Sequence, residues 1–360
     1  MRFRPSRRPS RRSATVVAVA LTLTVVATGC PLTKVGRRCS GSGWARDNSH
    51  VLQCRNGKWA RAMTFGDYIR LVDAMNREAA KEAERRASST ARAQYFRGTG
   101  AWVDVYDWSP TFVASRNPSA RPAFTLARID RMADAGISTL YIQTAKAELP
   151  DPVLDRELLN SIITKARGRG MRVVGWYLPT FADIAVDQAH LAATADLGLD
   201  GIGVDIESTA TELGARNQRL IDLSNWLRAT YPGMPLAAIV LPPVVTDIIN
   251  LAFWPQFPWK ALYPSYDVWM PMSYWTNRTA ASGWRDGYRY TIENIDRMRA
   301  SLGVPDAPVH PIGGLSDTAT PEEIDGFVRA STERGSIGGG LYDDAISNPA
   351  QYAQLAPLAR

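Results

Sequence analysis

Cysteine and histidine are scarce in these 360 residues, with three of each. His50, His190 and His310 stand far apart, with no His-x-His or Glu-x-x-His, which excludes the usual histidine-rich metal hydrolases. The chain also lacks a Gly-x-Ser-x-Gly elbow and a Gly-x-x-x-x-Gly-Lys phosphate loop, excluding two further hydrolase classes. No cysteine follows Cys54, so the larger part of the chain needs none. Neither a metal nor a cofactor is expected.

Acidic residues are absent from the first 29 positions, which carry six arginines. The formal charge of +7 is thus unevenly spread, and residues 98–360 are net negative. An acidic main part argues against nucleic acid as partner. The basic N-terminal third suits an anionic membrane or wall surface, or is simply a solvated basic face. Arg2 to Arg12 followed by the apolar run from about Ala14 to Thr28 reads as an export signal over residues 1–29, too short to span a bilayer comfortably. The run ends in Ala27-Thr28-Gly29-Cys30, which resembles a bacterial lipobox and implies lipid on the Cys30 thiol. Plain secretion is the alternative. Lipidation of Cys30 would leave Cys39 and Cys54 as a disulfide pair in an oxidising compartment.

Residues 30–64 are expected to form a small module closed by that bridge. Cys39 and then Cys54-Arg-Asn-Gly-Lys-Trp59 resemble the short Cys…Cys-x-x-Gly-x-Trp modules of secreted bacterial proteins. Some 30 residues bury little core, so the bridge would hold them. Residues 65–97 are rich in Ala, Glu, Arg and Lys, with Tyr68, Leu71, Val72 and Met75 at helical spacing, and read as a helical spacer.

From residue 98 to 360 one unit recurs: an amphipathic helix, a Gly-containing turn, then a short apolar strand. The predicted strands are Ala101–Asp107, Ser138–Gln143, Arg172–Leu178, Asp200–Glu207, Leu236–Leu241, Tyr266–Trp275, Val309–Ile312 and Ile337–Tyr342. Thr320-Pro-Glu-Glu323 is a capping box opening the last helix. Eight near-continuous apolar strands in about 260 residues predict a (β/α)8 TIM barrel. A doubly wound sheet is the rival, and it lacks a Gly-rich fingerprint after the first strand.

Asp200-Gly-Ile-Gly-Val-Asp-Ile-Glu207 is the most informative stretch. Alternation sends Ile202, Val204 and Ile206 to one face and Gly203, Asp205 and Glu207 to the other. Two carboxylates on one face of an apolar strand are costly to bury without a use. Barrel active sites lie at the C-terminal strand ends. Those positions also offer Asp104, Asp107, Gln143, Lys146, Trp176, Tyr177, Tyr274, Trp275, Tyr342, Asp343 and Asp344. Carboxylates surrounded by Trp and Tyr have the composition of a carbohydrate cleft.

The motif resembles the Asp-Gly-x-Asp-x-Asp-x-Glu strand of family-18 chitinases and their relatives, and Met272-Ser-Tyr-Trp275 is similar to their Met-x-Tyr-Asp. The resemblance implies a glycosidase barrel with Glu207 as general acid/base, Asp205 as its partner and Tyr274 touching the reacting sugar. Gly203 replaces the middle motif Asp, Trp275 replaces the Asp after Tyr274, and the eighth strand lacks a Trp. A direct two-carboxylate mechanism needs carboxyls about 5 Å apart for retention or about 6.5–9.5 Å for inversion. Asp205 with Glu207 could meet either spacing, Asp107, Asp343 or Asp344 is a candidate second group instead, and Asp104, Gln143, Trp176, Tyr177, Trp275 and Tyr342 are candidate sugar contacts. The expected function is an extracytoplasmic glycoside hydrolase acting on a polysaccharide. The alternatives are an inactive glycan-binding barrel, a scaffold that only spaces a surface assembly, and, for Asp205 and Glu207, a buried ion pair with Lys146 or an Arg.

Overall fold

The computed structural model describes residues 31–359; the expected signal segment and Cys30 lie outside them. The chain divides into two compact units, one ending at Glu84 and one beginning at Arg85.

In the first unit β1 (Trp44–Arg46), β2 (His50–Arg55) and β3 (Lys58–Thr64) form an antiparallel sheet. Asn56 and Gly57 both have positive φ, 52° and 72°, as the two-residue hairpin turn requires. Val51 and Tyr68 are buried with Trp44, Met63, Phe65 and Val72 around them. So small a core leaves much of the stabilisation to the Cys39–Cys54 disulfide, which closes a 15-residue separation. The helix Phe65–Ala93 starts where Thr64 Oγ1 accepts the Asp67 amide at 3.1 Å.

The second unit is a parallel eight-stranded barrel. Its strands are β4 (Gly98–Val103), β5 (Thr139–Gln143), β6 (Arg172–Tyr177), β7 (Gly201–Ile206), β8 (Leu236–Val240), β9 (Val268–Pro271), β10 (Ile312–Leu315) and β11 (Gly338–Tyr342). They pair in the order β10-β11-β4-β5-β6-β7-β8-β9. Two bridges, Trp269 with Val309 and Met272 with Ile312, close the ring between β9 and β10. Six longer helices flank the strands, among them Pro321–Glu333, whose predicted capping box is present.

Strand edges differ from expectation where the backbone cannot pair. The seventh strand was expected over Val309–Ile312, but it runs over Ile312–Leu315. Pro308 and Pro311 lack the N–H a ladder needs, so pairing settles after them. The first strand stops at Val103, and Asp104 then caps a helical turn, Val105–Trp108, by accepting the Tyr106 amide at 2.8 Å. The Gly338-Gly-Gly340 run has a steric reason: a Cβ at Gly338 or Gly340 would collide with the backbone oxygen of Gly98 or Gly100 on β4.

Alternation along β7 fixes what the barrel presents. Ile202, Val204 and Ile206 pack outward among the helices, whereas Trp102, Tyr141, Val174, Trp176, Ala237 and Ile239 fill the interior. Beneath them, buried Asp267 pairs with Arg92 at 3.0 Å and Arg228 at 2.7 Å and accepts the Leu236 amide at 3.0 Å. Its charge is fully met.

Candidate active site

A cleft opens at the C-terminal ends of the strands, and Asp205 and Glu207 line it. Asp205 is 6 % exposed and Glu207 is half-buried. Trp102 and Trp176 stand beside them, with Trp102 stacked on Tyr141 at 4.3 Å between ring centres and meeting Trp176 edge-on at 6.3 Å. Gly203, one layer below Asp205, has no room for a side chain as the walls stand. A Cβ there would lie 2.9 Å from Ile239 Cδ1 and 3.2 Å from Trp176 Cβ. The place of the missing motif carboxylate is therefore occupied by apolar packing.

Burial raises the Asp205 carboxyl well above the ordinary carboxylate range, and the Glu207 charge raises it further. Burial also raises Glu207, while the Lys146 cation pulls both back down. Two carboxyls so placed titrate as a pair. Tyr274 faces the same cleft; burial, then the charges of Asp205 and Glu207, hold its hydroxyl protonated. Four buried polar atoms on residues lining the cleft have no hydrogen-bond partner among the described residues: Trp102 Nε1, Trp176 Nε1, Gln143 Nε2 and Asp205 Oδ1. Three donors and an acceptor suit a ligand rich in hydroxyls.

A second carboxylate group adjoins the cleft. One oxygen each from Asp104, Asp107 and Asp343 lies within 4.8 Å of the others, a spacing that can hold a hard cation, and it is the only such group among the described residues. Asp104 lines the cleft and accepts the Tyr342 hydroxyl at 3.0 Å. Burial and the Asp104 charge push Asp107 up to about 7 and Asp343 up to about 6. Neighbouring Asp344 is structural, bound by Arg128 at 2.5 Å and by the Tyr352 hydroxyl at 2.7 Å.

Of the residues expected at the site, Glu207, Asp205, Tyr274, Asp104, Gln143, Trp176 and Tyr342 line the cleft. Asp107 and Asp343 stand in the adjoining group. Two do not belong. Tyr177 follows inward-facing Trp176 and so points outward, donating its hydroxyl to Asp187 Oδ1 at 2.8 Å. Trp275 lies beyond the strand, fully buried against Phe327 with Nε1 3.2 Å from Glu323 Oε2. Trp102 also lines the cleft, and its place two residues before Asp104 puts it on the inner face. His310 is structural: Nδ1 lies 2.9 Å from the Phe96 carbonyl, and burial lowers its pKa to about 4. The Cys39–Cys54 pairing is present.

No family model and no curated protein matches the chain. Solved structures do. A family-18 chitinase from Cycas revoluta, solved in complex with (GlcNAc)4, superposes with a TM-score of 0.51 at 12 % identity, over 72 % of this chain and 98 % of that one. A family-18 chitinase from Pseudoalteromonas aurantia gives 0.50 at 11 % identity, over 72 % and 99 %. The Bacillus cereus spore cortex-lytic enzyme SleL gives 0.50 at 9 % identity, over 73 % and 74 %. The chain shares the barrel fold of these proteins.

Proposed function

We propose that the barrel is a glycoside hydrolase acting on a polysaccharide outside the cytoplasm, held at the cell envelope by lipid on Cys30. The observation that carries the reading is the Asp205–Glu207 pair, side by side at the base of an aromatic cleft with raised pKa values. Glu207, the more exposed carboxyl, donates a proton to the glycosidic oxygen as the bond to the leaving sugar breaks. Asp205, ionised, sets negative charge beneath the oxocarbenium-like centre as it forms; water then adds to that centre, its hydroxyl staying on the sugar and its proton returning to Glu207. The Tyr274 hydroxyl and the free indole N–H groups of Trp102 and Trp176 hold the ring, and the indole faces give it an apolar wall.

The test is hydrolysis of oligosaccharides, beginning with N-acetylglucosamine oligomers because one relative was solved with (GlcNAc)4. Turnover that disappears in Glu207→Gln while the oligomer still binds supports the enzyme. A second reading, a barrel that binds glycan without cleaving it, is favoured by the apolar filling around Gly203. Binding with no wild-type turnover on any glycan would establish it.

A further inference from the structure

In the small first unit, seven Arg and Lys side chains face one acid, Asp47, between Pro31 and Thr64. Asp47 is already engaged, accepting the amides of Ser49 at 2.8 Å and His50 at 2.6 Å. Three of the cations are register neighbours: Arg55 pairs across the hairpin with Lys58, and Lys58 pairs on its other side with Arg38. Directly opposed strand residues project to the same face. Arg38, Lys58 and Arg55 therefore form an exposed row of like charge, and none makes an ion pair among the described residues. Such a row costs stability unless an anion meets it.

The chain running into Arg38 supplies an apolar tip. Lys34 to Arg37 is a tight turn, with the Arg37 amide on the Lys34 carbonyl at 3.2 Å and Gly36 at φ 84°. Val35, at its apex, is 47 % exposed between Lys34 and Arg37, and Leu32 just before it is 61 % exposed. The Gly36 amide donates to the Trp59 carbonyl at 2.8 Å, fixing this tip against β3 beside the charged row. Five cations around an exposed valine match a surface that is anionic outside and apolar a few ångströms in. A soluble polyanion would satisfy the charges but offer nothing to Val35 and Leu32.

We propose that this end of the sheet docks on an anionic phospholipid bilayer. The inference is independent of what the barrel catalyses.

The experiment is vesicle co-sedimentation of the chain from Pro31 onward, which holds every described element and omits the signal segment and Cys30. The chain binds vesicles containing about 30 % phosphatidylglycerol at low salt, releases at about 0.5 M salt, and ignores pure phosphatidylcholine. Each basic residue near such a surface is worth about fivefold in partitioning, so the triple variant Arg38→Gln, Arg55→Gln, Lys58→Gln binds about a hundredfold more weakly. Val35→Asp also weakens binding, and it leaves the sheet register intact should the triple variant misfold. Equal binding to both vesicle types, or a folded triple variant that binds like wild type, overturns the proposal. So does an unaffected Val35→Asp variant whose binding is fully displaced by soluble polyphosphate, which would identify a polyanion site instead.

Discussion

The Tyr342 hydroxyl donates to Asp104 Oδ2 at 3.0 Å, tying the end of β11 to the end of β4 at the barrel mouth. Asp104 therefore serves two places at once. It forms part of the cleft wall, and it is the member through which Asp107 and Asp343 are brought beside the cleft.

Glu207→Gln keeps the shape of the side chain and removes the proton donor. Expected is a loss of about a thousandfold in turnover with little change in glycan affinity, measured by steady-state hydrolysis and calorimetry on the same oligomer. A residual rate within tenfold of wild type would remove Glu207 from the mechanism.

Lys146 lowers the pKa of both Glu207 and Asp205. A proton donor fails as pH rises through its pKa, so Lys146→Met, by taking the cation away, moves the alkaline limb of the rate profile upward. The expected displacement is about one pH unit. An unmoved limb would mean that Lys146 does not tune the pair.

Asp107 has a folded-state pKa of about 7, above its ordinary 3.8. Between those values the folded chain binds the proton more tightly than the unfolded chain, so stability present at low pH is lost as pH rises through 7. Asp107→Asn should therefore be the more stable protein at pH 8, by on the order of 1–2 kcal/mol once partial exposure is allowed for, and close to wild type near pH 4. Denaturant melts at the two pH values decide it.

Asp267→Ala leaves the half-buried Arg92 and Arg228 without their anion. The expected cost is about 3–5 kcal/mol, read as a fall in the denaturation midpoint with an unchanged slope. A loss under 1 kcal/mol would show that the arginines find other partners.

The barrel was readable because eight apolar strands recur, six of them after a helix and a glycine turn, and alternation along Gly201–Ile206 alone put Asp205 inward with Glu207 following in phase. Alternation separates two of the expected contacts from each other and loses its meaning at a third. Trp176 and Tyr177 are adjacent on one strand and cannot share a face. Trp275 follows Pro271, past the end of the strand, where the chain turns into a 3-10 helix and parity carries no information. Convergence of Asp104, Asp107 and Asp343 depends on a helical turn after Val103 and on the pairing of the last strand with the first. Neither is encoded in local spacing.

The closure between β9 and β10 carries a consequence for how the cleft behaves. The other seven junctions are strand ladders, that of β10 with β11 shifting register between Gly313 and Leu315, whereas this one rests on two isolated bridges beside prolines at 271, 308 and 311. Amide exchange in the barrel should be fastest along that junction, since the least-bonded element opens first. Met272 and Tyr274 after β9 and Ile312 on β10 line the cleft there, while Asp205 and Glu207 belong to β7 within the continuous part. Opening along that junction would shift the wall formed by Met272, Tyr274 and Ile312 and leave β7, with its two carboxyls, in place.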